Sequence, residues 1–245
     1  MLKKILLIIF MNLIAFGVEA QYKKKTVDKY YPDLKTEVVF WEDFVGGTNS
    51  TGDIGDNGWS WAQLNGGGIF NLPEVGRPGV KALRTNTTDS ARSAISLLSS
   101  EILINGGDEL IVSAKLSTQN TCIMRIGFGD SYNASTFPTD GIWFEINADS
   151  GSTNYYIGAA SGGTKTFTLT STAADANWHR YKIKVAADKS KADFYLDDVL
   201  IGTITTNIPN STGYTGIMCY IETTDANSND LYIDYVLYKV TGLSR

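Results

Sequence analysis

The sequence predicts an all-β protein, a sandwich of two large antiparallel sheets. Three observations predict it. Short apolar runs with period-two alternation recur from residue 38 to the end of the chain. Clusters of Gly, Asn, Asp and Ser part them, such as Gly46-Gly47-Thr48-Asn49-Ser50 and Asn105-Gly106-Gly107-Asp108, and the 24 glycines suit many tight turns. No stretch beyond the N-terminal segment shows a convincing helical period, and no internal repeat points to a propeller or a β-helix.

The chain opens on a targeting segment. Lys3 and Lys4 precede an apolar run over 5–14, and Val18-Glu19-Ala20 has the small residues of a cleavage site. The run is short for a bilayer span, and no later run is long or apolar enough. The expected organisation is therefore a cleaved signal peptide over 1–20, a polar Lys-rich leader over 21–37 and one sandwich domain over 38–245. The expected location is secreted or at the cell surface, without membrane insertion.

Within the domain, the first strand falls at 38–44, where Val38-Val39-Phe40-Trp41 is rich in β-formers. Further strands are expected at 59–64, 80–84, 91–97 and 109–116. At 122–128 the alternation is clean, with Cys122, Met124, Ile126 and Phe128 on one face. Strands at 141–147, 155–159 and 164–170 follow. The runs 178–185 and 193–196 read as a hairpin across Ala187-Asp188-Lys189-Ser190-Lys191. After 199–206 and 216–222, the last strand falls at 231–240. Strict alternation there puts Leu231, Ile233, Tyr235 and Leu237 on one face and Tyr232, Asp234, Val236 and Tyr238 on the other.

The 21 basic and 26 acidic residues leave a net charge of −5. An acidic chain without a basic stripe argues against nucleic acid as a partner. The one basic cluster, Lys23-Lys24-Lys25, reads as a solvated tail. The two cysteines, Cys122 and Cys219, sit in apolar strands and suit burial as free thiols, while export leaves a disulfide open.

Several stretches resemble the concanavalin A-like lectin/glucanase (LamG-like jelly-roll) superfamily. They are Val39-Phe40-Trp41-Glu42-Asp43-Phe44, the Trp178-His179 strand with Leu196-Asp197-Asp198-Val199-Leu200-Ile201-Gly202, and Ile233-Asp234-Tyr235-Val236-Leu237-Tyr238. The resemblance covers nearly all of 38–245 and implies a jelly roll with one convex and one concave sheet. Glu42-Asp43-Phe44-Val45-Gly46-Gly47, Gly58-Trp59, Arg77-Pro78-Gly79-Val80, Arg125-Ile126-Gly127-Phe128-Gly129-Asp130 and Thr206-Asn207-Ile208-Pro209 also look like sandwich domains of tailed-phage structural proteins. That likeness implies a structural or adhesive role on a surface.

The superfamily includes retaining glucanases with a Glu-x-Asp-x-(x)-Glu strand, whose alternate carboxylates stand roughly 5 Å apart as nucleophile and acid. The nearest match here is Glu145-Ile146-Asn147-Ala148-Asp149. Asn147 cannot relay a proton and Asp149 is one methylene short, so Glu145 and Asp149 are weak catalytic candidates. The lone His179 reads as a structural imidazole. No Gly-x-Ser-x-Gly elbow, zinc cluster or phosphate loop is present. Enzymatic activity is left open, with binding the stronger expectation.

Family likeness also implies a structural calcium where the first and last strands meet. Oxygen ligands suit that ion, and Glu42, Asp43 and Asp234 are the matching positions. For a glycan, flat aromatics beside amide side chains are the expected platform. Trp59, Trp61 and Gln63 share one face of a strand, and Trp143, Tyr155 and Tyr156 lie near polar turns. The expected function is thus a lectin-like module that binds a polysaccharide or cell-surface glycan without hydrolysing it. The alternatives are a structural or adhesive module of a surface or phage-like appendage, and a divergent glycoside hydrolase or polysaccharide lyase.

Overall fold

A computed structural model describes residues 37–45, 54–119, 121–132, 136–209 and 212–241. The expected signal peptide over 1–20 and all of the expected leader but Glu37 lie outside the described residues. Among the described residues, fifteen strands and one short 3-10 turn, Ala148–Ser150, make up the regular structure.

An eight-stranded antiparallel sheet runs β13 (Val199–Ile204), β12 (Ala192–Leu196), β11 (His179–Val185), β6 (Asp108–Leu116), β15 (Asp230–Thr241), β4 (Lys81–Arg84) and β3 (Gly68–Asn71), with β1 (Glu37–Glu42) also paired to β15. A seven-stranded sheet runs β10 (Thr164–Ala173), β9 (Asn154–Ser161), β8 (Gly141–Asn147), β7 (Cys122–Gly129), β14 (Tyr214–Thr223), β5 (Arg92–Leu103) and β2 (Ser60–Leu64). Their inner faces close on one core, as a concanavalin A-like jelly-roll sandwich requires. The predicted strands all form. The sequence reading missed only β3, a four-residue strand hidden behind Gly66-Gly67-Gly68.

Alternation builds that core. From β7 come Cys122, Met124, Ile126 and Phe128, from β8 Ile142, Phe144 and Ile146, and from β11 Tyr181, Ile183 and Val185. Each such side chain, wholly buried, contributes about 1.5–3 kcal/mol of transfer free energy. Phe144 lies edge-on to both Tyr181 and Phe194, joining the two sheets. Cys122 and Cys219 are buried free thiols. Cys219 faces Ile126, four residues along β7 from Cys122, or roughly 13 Å. A disulfide cannot bridge that distance.

One expectation fails in β15. Its pairing with β6 slips between Ile233 and Tyr235, so an extra residue is accommodated at Asp234. Beyond it the faces exchange. Leu231, Ile233, Val236 and Tyr238 are the buried set, while Tyr235 and Leu237 turn outward. A second local device is the β12–β13 hairpin. Asp197 and Asp198 both take positive φ, 49° and 67°, as a two-residue turn of the hairpin type demands. Among the described residues, no helix is long and apolar enough to cross a membrane.

Candidate functional site

Strand register brings one set of side chains together on the outer face of the seven-stranded sheet. Leu169, Tyr156, Glu145, Arg125, Tyr220 and Ala94 form a continuous row across β10, β9, β8, β7, β14 and β5. The adjacent row is Phe167, Gly158, Trp143, Gly127, Met218 and Ser96.

Glu145 sits at the centre of this face and is sealed. Arg125 Nε donates to its Oε2 at 2.8 Å, and the two side chains are 4% and 0% exposed. Asn147 Nδ2 donates to the other oxygen at 2.9 Å. Phe137 lies over the Arg125 guanidinium at 4.8 Å, and Arg125 Nη1 donates to the Thr136 carbonyl. Asp149 does not share the face. It is exposed in the 3-10 turn, where its N–H donates to Asn147 Oδ1. The two weak catalytic candidates, Glu145 and Asp149, are therefore not brought together, because the strand ends at Asn147 and the chain turns away. Glu145 lacks both solvent access and an opposed carboxylate, the two things a retaining mechanism needs.

Aromatic residues flank the sealed pair. Tyr156 and Phe167 stack face to face, with ring centroids 4.7 Å apart and planes 2° from parallel. Phe167 meets Phe137 edge-on at 5.3 Å, and the Lys165 ammonium stands 3.7 Å from the Phe137 ring. Tyr156, Phe137 and Phe167 remain half-buried, so each offers part of a ring to solvent. Trp143 lies beneath them, fully buried over Gly158. Its Nε1 finds no acceptor among the described residues.

The glycan platform expected from sequence is largely dismantled. Trp59, Trp143 and Tyr155 are buried at 3%, 0% and 0% exposure and cannot stack on a sugar. Trp59, Trp61 and Gln63 do share a face, but Trp61 stands opposite Ile95, on the side turned to the core. Trp61 donates to Ser93 Oγ at 3.1 Å, and Gln63 Oε1 accepts from Gly66 N. Tyr155 points inward and meets the Tyr181 hydroxyl at 3.2 Å. Tyr156 alone of the six keeps a partly exposed ring on the outer face.

The expected metal ligands face hydrogen-bond donors. Buried Glu42 accepts from Phe44 N, Asn57 Nδ2 and Trp59 Nε1 at 2.9, 2.8 and 3.3 Å. Asp43 Oδ1 accepts from Val45 N, and Asp234 pairs with Arg77. Among the described residues, no group of three or more His, Cys, Asp and Glu side chains is arranged to hold a metal ion. Donors around a carboxylate satisfy it as an anion and do not build an oxygen cage.

Sequence reasoning overlooked Arg125, Phe137 and Phe167. The signal for Arg125 was there, as a single charge on the face of β7 that otherwise holds Ile123, Gly127 and Gly129. Its partner depended on register, which alternation does not give.

Residues 76–234 match the SO2946-like C-terminal domain family. The chain belongs to that family. The protein of unknown function SO2946 from Shewanella oneidensis MR-1 shares the fold at TM-score 0.64 and 18% identity, over 90% of this chain and 93% of that one. The carbohydrate-recognition domain of Emp47p superposes at TM-score 0.59 and 9% identity, over 87% and 100% of the two chains. The β-glucanase of Bacillus licheniformis does so at TM-score 0.51 and 18% identity, over 82% and 97%. At these identities the likeness is one of fold. No curated protein matches the chain.

Proposed function

We propose that this family member is an exported, non-catalytic carbohydrate-binding module, with the outer face of the seven-stranded sheet as its sugar-facing surface. The observation that carries the reading is the state of Glu145. A carboxylate held by Arg125 and Asn147 at 0% exposure has the geometry of a structural ion pair. Beside it, the stacked Tyr156 and Phe167 rings supply the flat apolar area on which a pyranose ring packs. The similarity in fold to a carbohydrate-recognition domain and a glucanase supports the ligand class. The acidic net charge speaks against nucleic acid.

The test is a glycan array with the protein lacking residues 1–20, run with and without a calcium chelator. Specific binding is expected, and Tyr156→Ala and Phe167→Ala should each weaken it by about tenfold, the scale of one lost stacking contact. A chelator-sensitive signal places calcium in the binding-competent fold. Release of reducing sugar from a bound glycan, abolished by Glu145→Gln, overturns the non-catalytic reading. Binding unmoved by either aromatic substitution overturns the choice of face.

A further inference from the structure

A second candidate lies on the opposite side of the molecule, on the outer face of the eight-stranded sheet. Register sets Tyr235 of β15, Ser113 of β6 and Arg180 of β11 in one row across three adjacent strands. The middle residue is small and its neighbours are long, so the row dips at Ser113. The hollow measures about 230 Å³, below the 300–1,000 Å³ of pockets that hold drug-sized ligands. It has room for one ring and not for a chain.

Its walls are built side chains. Trp178 stands on one side with the Arg77 guanidinium 4.2 Å from its ring, and its Nε1 donates to Glu74 at 3.0 Å. Arg77 also donates to Ser113 Oγ at 3.2 Å and pairs with Asp234. On the other side His179 is held between Asp197 and Asp175, at 2.6 and 2.8 Å. Tyr235 is backed by Trp41, stacked at 5.0 Å and 18°.

Two features select the ligand. First, the cations lining the hollow are already paired: Arg77 with Asp234, Arg180 with Asp198, and His179 with two aspartates. None of them is left over for an anion. Second, Arg180 Nε is buried and has no acceptor among the described residues. Arg180 and Asp198 are exposed enough that their pair rearranges at little cost, which lets Arg180 turn that donor to an incoming oxygen. Forked donors, carboxylate acceptors, a hydroxyl and aromatic walls around a one-ring space without a free cation match a small neutral polyol ring.

The geometry points to a second binding site here, for a single neutral sugar residue, formed by Arg77, Ser113, Trp178, Arg180, Asp197 and Tyr235. It shares its ligand class with the proposed function and none of its residues.

The test titrates the full chain with methyl glycosides of neutral hexoses and N-acetylhexosamines, read by NMR at the Trp178 indole N–H and the His179 ring. At least one glycoside should shift both resonances saturably with a millimolar Kd. Arg180→Ala and Ser113→Leu should each weaken that binding about tenfold or more, and Tyr156→Ala should leave it unchanged. Arg180 is part-exposed, so its variant keeps the fold, which thermal melting verifies. Three results overturn the site: no glycoside moves the two resonances, the shifts keep wild-type affinity in both pocket variants, or a methyl uronide binds more tightly than its neutral parent. Loss of array binding in Tyr156→Ala alone concerns the other sheet, so the two readings fail separately.

Discussion

Arg125 and Glu145 face each other across β7 and β8, 2.8 Å apart, at a point where neither side chain meets solvent. Removing one partner of such a pair strands the other as an uncompensated buried charge. Arg125→Met should therefore cost about 3–5 kcal/mol. The double variant Arg125→Met/Glu145→Leu should regain most of that loss, because both desolvated charges are gone. Denaturant titration of the two single variants and the double closes the cycle. Full additivity would show that the pair is not coupled.

Gly158 gives Trp143 its seat. A Cβ added at residue 158 would fall 2.6 Å from the indole, which is wholly buried and cannot retreat. Gly158→Ala should destabilise the protein by about 1–3 kcal/mol, the usual cost of overpacking. In a Trp143→Phe background the same change should cost less. Equal cost in both backgrounds would remove the indole from the explanation.

His179 ties β11 to the β12–β13 turn through Asp197 and to the preceding loop through Asp175. Burial works against its charged form, but the hydrogen bonds to Asp197 and Asp175 outweigh it and raise its pKa above 6.5. A raised folded-state pKa contributes stability that is complete below the unfolded value and lost as pH climbs through the folded one. The stability difference between wild type and His179→Gln should thus be largest in mild acid and shrink above about pH 6.5. Melting both proteins across that range checks it. A difference that grows with pH would reverse the assignment.

Burial raises the pKa of both thiols, that of Cys122 to about 12. Neither should react with a thiol reagent in the native protein near neutral pH, and both should react on unfolding. Rapid native labelling of either would show that its strand opens.

The strands were legible because alternation and turn clusters are local signals, and only β3 was too short and too close to glycines to register. The site was much less so. Trp59, Trp61 and Gln63 were correctly placed on one face, but an edge strand with Ser60, Ala62 and Leu64 on its other side does not announce which face is inner. In β8 Trp143 shares its face with Glu145 and Asn147, so alternation gave no sign of its depth. Tyr155 and Tyr156 are neighbours and must point to opposite sides, so at most one could serve a ligand. The Arg125–Glu145 pair and the hollow above Ser113 exist only through strand register.

The additional residue at Asp234 acts as a frameshift in the pleat of β15. Before it the even-numbered side chains look outward; after it the odd-numbered ones do. One strand thereby feeds the core with Ile233 and Val236 and still delivers Tyr235 to the surface against Trp41. Deleting that single residue would restore strict alternation with Ile233 and Val236 still inward and Tyr235 still outward. A sequence comparison that aligns this strand without a gap would therefore match wall residues of one protein to core residues of another.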